Sequence, residues 1–247
     1  MKINRRVGGK NMNISVNLDA LKNDERETLL RLIGKANKPM KEEFVCIKQR
    51  KDKVTWEQLE EIIEAGKAKE FFDGKGSISV EMEGVGAVTF DIIGYDAEKL
   101  MDPGKHSMTL WMRDLLFQEM PFSAEGNNKW EYSDIRKYLQ SDSFIKRFEP
   151  GFRKLLSPVY KDNGEAPETY DVFFLLSKEE LEDGYEFIKT EADRVKADKD
   201  GETDWHWTRS AYRGYANSTW YVRTSGYVSF SHANWALRFS PACVIAR

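Results

Sequence analysis

The sequence predicts an α+β fold built mainly of short strands, with a small mixed module at its N-terminus. Two observations lead to this prediction. Several segments alternate apolar and polar residues with the period of two that is typical of strands, and glycine-containing turns separate them. Other segments place apolar residues at helical spacing behind capping residues. With 247 residues, of which 40% are hydrophobic and 32% charged, the chain can bury a sizeable core.

The first part of the chain, residues 1–53, is expected to form the N-terminal module. Apolar and polar residues alternate around Val16, which predicts a short strand. Residues 23–39 begin with acids, carry leucines on one side and end at Pro39, which predicts a helix. A polar link then leads into the main domain, expected over residues 54–247.

The main domain opens with two strong local signals. Thr55 and Gln58 have the spacing of a capping box, in which each side chain satisfies a free amide at the start of a helix. Residues 77–96 alternate on both sides of the segment EGVG, which predicts a β-hairpin. A helix followed by a hairpin is therefore expected at the start of this domain.

The middle of the main domain shows further helical and strand patterns. Two helical patterns lie within residues 134–156, and residues 170–177 are predicted to be one buried strand. Ser177 and Glu180 match a second capping box, which predicts another helix. The C-terminal tail is punctuated by glycines and a proline and is expected to form loops and short strands.

Charge is distributed unevenly along the chain. Residues 205–247 contain no Asp, Glu or Lys and five Arg, so this tail carries +5 and the rest of the chain carries -8. The preceding residues 182–204 are rich in acids and are predicted to be a solvated loop or a short exposed helix. A tail so poor in Lys and Glu is not an ordinary solvated surface.

Composition also argues against several functional classes. The net charge of -3 provides no basic field for nucleic acid, so we expect no nucleic-acid partner. No apolar run approaches a membrane span, and the first residues have no hydrophobic stretch, so we expect no signal peptide, no membrane insertion and a cytoplasmic protein at synthesis. Cys46 and Cys243 are far apart and lack metal-ligand spacing, which argues against a disulfide scaffold or a zinc site.

The common enzyme signatures are missing from this sequence. It contains no dinucleotide or phosphate-binding glycine motif, no nucleophile elbow and no zinc-protease helix motif. His106 is expected to be a structural histidine bonded to backbone, and Cys243 a buried, inert thiol. The alternating acids of residues 198–204 could hold calcium, but their glycine is misplaced, which favours a solvated loop. We therefore predict no enzyme activity, no catalytic residue, no metal and no cofactor.

The C-terminal tail has the composition of a binding surface. Tyr, Trp and Phe alternate there with Ser, Asn, Gly and Arg, a mixture that combines rigid contact area with adaptable hydrogen bonding. The alternative is that the aromatic residues form sheet core, and Val222 and Val228 are expected to do so. Large residues stand in succession at Trp220 and Tyr221, and strand side chains alternate, so not all can point inward. This favours a recognition surface.

Several ordered motifs between residues 92 and 247 carry a family resemblance. They are IIGYD, HSMTLW, WEYSDIRKYL, YDVFFLLSKEE, WHWTRS, YVRTSGYVS and a terminal SPACVIA. Their order over residues 77–247 resembles a family of bacterial and phage proteins of uncharacterised function, whose fold is similar to the C-type lectin and the formylglycine-generating enzyme. The resemblance implies a C-type-lectin-like domain.

Relatives of this kind include the variable proteins of diversity-generating retroelements, in which mutagenesis rewrites codons near the C-terminus. The resemblance implies that a rigid fold displays variable side chains for ligand binding. The positions here that match the variable ones are Tyr212, Arg213, Tyr215, Asn217, Ser218, Trp220, Phe230, His232, Asn234, Trp235, Leu237 and Arg238.

The sequence departs from the enzymatic and calcium-binding relatives. Formylglycine-generating enzymes hold copper with two nearby cysteines, and the matched region here has only Cys243. Calcium-dependent lectins carry Glu-Pro-Asn or Gln-Pro-Asp together with Trp-Asn-Asp, and neither set is complete in this chain. Copper oxidation and calcium-dependent sugar binding are therefore not expected, whereas sugar binding by aromatic stacking stays open.

Two functional hypotheses follow from the sequence. The first is a non-enzymatic display protein, encoded by a phage or prophage, whose C-terminal surface binds a protein or glycan ligand. The second is a structural virion component that uses the lectin-like domain for assembly. The size of the protein in solution separates them, because a symmetric multimer built through the tail would oppose display. Both leave homo-oligomerisation and association with a virion open.

Overall fold

The computed structural model describes β1 (Lys2–Val7), β2 (Lys10–Ser15) and residues 54–247. The described residues fall into two compact units that divide between Lys51 and Asp52. In the first unit, β1 and β2 pair in antiparallel orientation. The strand predicted around Val16, the helix predicted over residues 23–39, and Cys46 lie outside the described residues.

Short helices and strands alternate along the second unit. The helices are α1 (Trp56–Glu64), α2 (Ala68–Phe71), α3 (Asp134–Leu139), α4 (Asp142–Ile145), α5 (Pro150–Leu155) and α6 (Glu191–Arg194), with a 3₁₀-helix at Trp130–Tyr132 and a π-helix at Glu180–Gly184. In the described part of the chain, no helix has both the length and the apolar character needed to cross a membrane.

The strands of this unit belong to four sheets. They are β3 (Ser77–Met82), β4 (Gly86–Tyr95), β5 (Lys99–Leu100), β6 (Ser107–Met112), β7 (Met120–Pro121), β8 (Val159–Asn163), β9 (Ala166–Asp171), β10 (Phe173–Phe174), β11 (His206–Ala211), β12 (Ser218–Val222), β13 (Val228–His232), β14 (Ala236–Leu237) and β15 (Ala242–Ala246). The mixture of helices and largely antiparallel sheets is an α+β fold, as predicted.

A five-stranded antiparallel sheet, in the order β10-β15-β6-β4-β3, forms the centre of the unit. The strands β6 and β15 are buried along their whole length, and the sequence of β15 is accordingly apolar throughout, whereas β6 also buries Ser107 and Thr109. A second antiparallel sheet, β11-β12-β13, contains most of the C-terminal tail. Smaller sheets join β5-β8-β9 and β14-β7.

Phenylalanine rings from the helices pack against this central sheet. Phe90 of β4 lies 5.4 Å from Phe152 of α5, and Phe148 stacks on Phe173 of β10 at 5.0 Å between ring centroids. All four side chains are almost fully buried. The core therefore lies between the central sheet and the short helices, and burial of large aromatic rings dominates its stabilisation.

The two predictions for the start of the domain are confirmed. The Thr55 side chain accepts from the Gln58 amide, and the Gln58 side chain accepts from the Thr55 amide, so the capping box opens α1. The hairpin forms from β3 and β4, with Met82 opposite Gly86 at the turn. Both features depend on residues close together in the chain.

The prediction of two helices within residues 134–156 is wrong in its second half. Phe144, Phe148, Phe152 and Leu155 share one helical period, but Phe144 lies in α4, Phe152 and Leu155 lie in α5, and Phe148 lies between the two helices. Proline is well placed only in the first turn of a helix, because it has no amide hydrogen and clashes with the preceding turn. Pro150 therefore opens a new helix.

The single strand predicted over residues 170–177 is also divided. Asp171 ends β9 in one sheet, and Phe173 begins β10 in the central sheet. Between them, the Gln140 side chain accepts from the Val172 amide at 2.8 Å and donates to the Phe173 carbonyl. This side chain satisfies backbone groups where the strand changes sheets, so burial is preserved without one continuous ladder.

The second capping box forms, but it opens an unusual helix. The Glu180 amide donates to the Ser177 hydroxyl at 3.0 Å, and the Glu180 carboxylate accepts from the Ser177 amide at 2.9 Å. The π-helix Glu180–Gly184 follows. The wider turn of a π-helix is often found at functional sites, and here it places the carboxylate of Glu180 at the cleft described below.

Gly226 sets the turn between β12 and β13, and replacing it with alanine is expected to destabilise the domain by about 2 kcal/mol or more. Its φ of 85° favours glycine, and an added Cβ would lie 1.9 Å from the Glu191 carbonyl oxygen. Because that oxygen belongs to the backbone, the clash cannot be relieved by a side-chain rotation. Urea denaturation measures the effect.

Gly201→Ala is the matched control for Gly226→Ala. Gly201 has almost the same φ, 86°, but no atom lies within 4 Å of its added Cβ. The control isolates the cost of backbone conformation, which we expect to be about 1 kcal/mol. Equal losses for the two variants would contradict a steric role of Gly226.

Candidate functional site

Strand pairing places aromatic side chains on one face of the β11-β12-β13 sheet. Trp220 of β12 pairs with Phe230 of β13, so their side chains lie on the same face. Tyr221, the next residue along β12, points to the opposite face, where it contacts the buried Trp207. The alternation expected for strands thus separates the rings of the tail into an inner and an outer group.

The outer rings form a contiguous group, which we call the aromatic cluster: Tyr212, Tyr215, Trp220 and Phe230. Tyr212 stacks on Phe230 at 3.8 Å between ring centroids and 6° between ring planes. Trp220 meets Tyr212 edge to face at 5.1 Å, and Tyr215 lies 5.8 Å from Tyr212. These offset and edge contacts hold the rings in fixed orientations.

The aromatic cluster is open to solvent. Tyr215 is 61% exposed and Phe230 is 41% exposed, while Tyr212 and Trp220 are half-buried beneath them. The ammonium group of Lys178 lies 5.4 Å from the centroid of Trp220, at the edge of the cluster. Large apolar rings that support one another outside the core mark an interaction surface.

The twelve residues predicted from the sequence differ in exposure. Seven are exposed: Arg213, Tyr215, Asn217, Phe230, His232, Asn234 and Trp235. Four are half-buried: Tyr212, Trp220, Leu237 and Arg238. His232 and Trp235 form a second pair of rings, 6.0 Å apart between centroids, and Trp235 is 52% exposed. Four of the predicted residues thus form the aromatic cluster, and His232 and Trp235 pair separately.

Ser218 is the one predicted residue that is buried. It is 3% exposed, and its hydroxyl donates to the Asn217 side chain at 3.3 Å. Its carbonyl accepts from the Asn128 side chain. Because Ser218 begins β12 and its polar groups face the protein, it supports the strand and does not offer a surface contact.

Arg238 is also engaged within the protein. Its guanidinium lies 2.8 Å from Asp198 and 3.4 Å from Asp204, and its side chain is 16% exposed. The hydrogen bond to Asp198 raises the pKa of Arg238 and lowers that of Asp198. Arg238 therefore ties β14 to the acidic loop, and we leave it out of the candidate ligand contacts.

The acidic loop of residues 198–204 is held by its own backbone. The Asp198 carboxylate accepts from the amides of Asp200 and Glu202, at 3.0 Å each. In the described ranges, no group of three or more His, Cys, Asp or Glu side chains could hold a metal ion. The loop therefore acts as the partner of Arg238.

His106, His206 and Cys243 lie in different surroundings. His106 Nδ1 lies 3.0 Å from the Asp96 carboxylate, so its partner is a side chain and not the backbone that the sequence suggested. His206 is buried against the Arg194 carbonyl at 3.0 Å, and burial lowers its pKa to about 4. Cys243 is buried, which raises the pKa of its thiol, as expected for an inert cysteine.

Asn128 holds the loop that carries Tyr212 and Tyr215. Its side-chain amide donates to three carbonyls, those of Tyr212 at 3.2 Å, Tyr215 at 3.1 Å and Ser218 at 3.0 Å. A single buried amide thus satisfies the backbone of the loop between β11 and β12. Sequence reasoning missed this residue, because an Asn in the polar run GNNK gives no sign of its distant partners.

A polar cleft of about 730 Å³ adjoins the aromatic cluster. Its walls come from the β8–β9 turn, residues 177–180 and the end of β11. Its volume lies within the range typical of small-molecule sites. Two predicted residues, Tyr212 and Arg213, line it. The others are Asn128, Lys129, Asp162, Asn163, Gly164, Glu165, Ala166, Pro167, Ser177, Glu179, Glu180, Arg209, Ser210, Ala211 and Ala216.

A buried ionic network lies beside this cleft, and we define it as Glu98, Lys161, Glu180, Tyr185 and Arg209. Arg209 pairs with both oxygens of Glu180: Nη1 bonds Oε2, and Nη2 lies 2.8 Å from Oε1. Lys161 Nζ lies 2.7 Å from Glu180 and 2.8 Å from Glu98, and Tyr185 donates to Glu98. Two positive and two negative groups balance, which makes their burial tolerable.

The network fixes the ionisation of the cleft. Burial would raise the pKa of Glu180, but Arg209 and Lys161 outweigh it and hold that pKa at about 2. Burial and the two carboxylates raise the pKa of Tyr185. Neither group exchanges a proton near neutral pH, so Glu180 acts as a permanent acceptor and not as a general acid or base. The site can orient polar groups beside an aromatic surface.

One known family matches the part of the chain that contains the aromatic cluster and the polar cleft. The model of Domain of unknown function (DUF6273) matches residues 106–246, more than half of the chain. The chain belongs to the DUF6273 family. No curated protein and no solved structure matches it.

The two ends of the DUF6273 region lie next to each other in the central sheet. It begins next to β6 and ends with β15, and these two strands pair with each other in the central sheet. His106 and Arg247 also exchange backbone hydrogen bonds, of 2.9 and 3.0 Å. All residues of the aromatic cluster and of the cleft lie within the DUF6273 region. The hairpin of β3 and β4 lies outside it.

Proposed function

We propose that this domain is a non-enzymatic ligand-binding module, which holds a protein or glycan on the aromatic cluster and the adjoining cleft. The observation that carries the proposal is a group of four packed rings outside the core, two of them exposed and two half-buried. Such rings contribute contact area without losing much conformational entropy on binding, because their neighbours already fix them. Binding hot spots are enriched in the same residue types.

The cleft supplies what the aromatic cluster lacks, a set of polar groups in fixed positions. The Glu179 carboxylate accepts from the Ser210 hydroxyl at 3.0 Å, and Glu180 is held by Arg209 and Lys161. A ligand that covers both features would meet an apolar platform and a hydrogen-bonding wall. Stable protein binding requires about 800 Å² on each partner, so a protein ligand would have to cover both the aromatic cluster and the cleft.

The resemblance to phage and prophage proteins supports a display role. In a display protein the scaffold is constant and the exposed positions vary, and variation is tolerated where side chains do not pack in the core. Arg213, Tyr215, Asn217, Phe230 and Asn234 are exposed in this way. In the proposed role, the β11-β12-β13 sheet is the platform and these side chains are the ligand contacts.

The test compares two double variants on an array of bacterial surface glycans and an array of purified bacterial surface proteins. Tyr215→Ser with Phe230→Ser removes the two most exposed rings of the cluster. We expect it to weaken binding of any ligand of the wild-type protein at least about 30-fold, since hot-spot rings contribute about 2 kcal/mol or more. Thermal unfolding checks that both variants stay folded.

The matched control is Tyr132→Ser with Phe117→Ser. These side chains are 55% and 89% exposed and lie outside the cluster and the cleft, so the control removes the same two residue types. We expect its binding to equal that of the wild type. The proposal fails if the wild type binds nothing on either array, or if the two double variants lose binding equally.

A further inference from the structure

A second, smaller cavity lies beside the central sheet and contains a buried lysine. Its volume is about 130 Å³, many times the ~10–15 Å³ that one water molecule needs. Lys196, which is 5% exposed, lines it together with Trp111 and Phe187. None of the residues of the aromatic cluster or of the first cleft contributes to it. The cavity is therefore independent of the proposed ligand-binding site.

The surroundings of Lys196 differ from those of the other buried lysine that the structure describes. Lys161 pairs with Glu98 and Glu180, so its charge is balanced. Lys196 Nζ donates to the Met112 carbonyl at 2.6 Å and lies 3.5 Å from the centroid of the Trp111 ring. In residues 54–247 no carboxylate forms an ion pair with it. A buried ammonium held by a carbonyl and a ring lacks the partner that offsets its desolvation.

Other charged groups around the cavity are paired with one another. Asp91 lies 2.6 Å from Arg113, and Asp193 lies 3.9 Å from Lys75. Burial lowers the pKa of Lys196 to about 7. The charge of Arg113 also lowers this pKa, whereas the charges of Asp91 and Asp114 raise it. His206, whose ring is near Trp111, is neutral at this pH, since burial lowers its pKa to about 4. A large fraction of the Lys196 amine is therefore unprotonated at neutral pH.

We propose that Lys196 is a covalent binding site for small aldehydes. An unprotonated, desolvated lysine is the usual nucleophile in Schiff-base formation. The Nζ lone pair attacks the carbonyl carbon, and one Nζ proton passes to the carbonyl oxygen to give a carbinolamine. The hydroxyl group then leaves as water together with the second Nζ proton, and a carbon–nitrogen double bond remains. One water is released for each aldehyde bound, and no oxidant or reductant takes part.

The walls of the cavity suit a small, mostly apolar aldehyde. Trp111, Ile93, Ile188 and Phe187 provide apolar contacts, while the paired charges of Lys75 and Arg113 belong to the same lining. The first hydrogen bond of Nζ, to Met112, uses one N–H and leaves the lone pair free for attack.

The experiment treats the full chain with propanal between pH 6 and pH 9, reduces imines with borohydride and maps modified lysines by peptide mass spectrometry. We expect Lys196 to be modified at least about tenfold faster at pH 7 than exposed lysines, because an unperturbed lysine amine has a reference pKa of ~10.4. Its rate should reach half its maximum near pH 7, the value to which burial lowers its pKa. Exposed lysines should react appreciably only at higher pH.

Lys161 is the internal control, because it is equally buried but paired with carboxylates, and it should stay unmodified. Lys196→Met should remove the fast phase of modification, with circular dichroism showing that the variant folds. If that variant does not fold, the wild-type peptide map decides by itself. No modification of Lys196, or modification at the rate and pH dependence of exposed lysines, would overturn the proposal and leave Lys196 a structural residue.

Discussion

Replacing Arg209 with methionine is expected to destabilise the domain by about 3–5 kcal/mol, the usual cost of removing one partner from a buried ion pair. Arg209 is 4% exposed, and it bonds Glu180, the Leu175 carbonyl and the Asp162 carbonyl. Methionine fills similar space but carries no charge, so the carboxylates of Glu98 and Glu180 would share the single positive charge of Lys161. Urea denaturation at neutral pH measures the loss.

The same variant also changes the response to acid. In the wild type, Glu180 has a pKa of about 2, below its ordinary value of 4.5. A lowered acid pKa contributes stability above pH 4.5, and that contribution is lost as the pH falls towards 2. Without Arg209 the pKa of Glu180 rises, so the variant should lose less stability over this interval. Denaturation at several pH values between 2 and 7 compares the two slopes.

Arg213→Met is the control for Arg209→Met. Arg213 lies four residues further along, is exposed, and lies 3.9 Å from the exposed Glu165. Exposed ion pairs contribute little, so we expect no measurable change in unfolding. If the two variants were equally stable, the ionic network would not support the walls of the cleft as described.

Replacing Trp207 with alanine is expected to cost about 3–5 kcal/mol of unfolding free energy, as for other large aromatic side chains in a core. Trp207 is 1% exposed, and its side chain lies on the inner face of the sheet that carries the aromatic cluster. Its ring contacts Phe122 at 6.1 Å and Tyr221 at 6.3 Å, and its Nε1 donates to the Met120 carbonyl at 3.0 Å. Alanine would leave a cavity and an unsatisfied carbonyl.

Trp235→Ala provides the matched comparison, because the substitution is identical and only the burial differs. Trp235 is 52% exposed, and its one close ring is His232 at 6.0 Å. We expect a loss of less than about 1 kcal/mol, typical of surface positions. Differential scanning calorimetry on both variants gives the test. A large loss at Trp235 would place it in the core and would exclude it as a free surface group.

These two comparisons separate the scaffold from the surface that it carries. Trp207 and Arg209 lie on the same strand, β11, and both are buried, while Tyr215 and Phe230 are exposed nearby. Substitutions of the buried residues Trp207 and Arg209 should lower stability. Substitutions of the exposed residues Tyr215 and Phe230 should lower only ligand binding. A display protein requires this division, because ligand contacts can vary only where the scaffold does not depend on them.

Much of the local structure could be predicted from the sequence. The capping box at Thr55 and the β3–β4 hairpin depend on residues within a few positions of one another, and their patterns therefore survive in any tertiary context. The concentration of rings and the lack of Lys and Glu in the tail also pointed to the right region for the aromatic cluster. The class of the fold, α+β, followed from the same periodicities.

The candidate site itself was decided by tertiary structure. Glu98, Lys161, Glu180, Tyr185 and Arg209 come from distant segments, and charges that pair across such separations leave no periodic pattern. The same reason explains Gln140, which divides a predicted strand, and Asn128, which holds a loop more than eighty residues away.

The sequence alone determined the capping box, the β3–β4 hairpin and where aromatic residues accumulate, since hydrogen bonds between near neighbours and side-chain alternation act locally. Only the tertiary structure decided which residues of each strand face water. Ser218 and Phe230 lie on the same face of the β12–β13 pair, yet Phe230 is 41% exposed and Ser218 is 3% exposed. Burial is a property of the whole fold, because it depends on what packs against a residue from elsewhere in the chain.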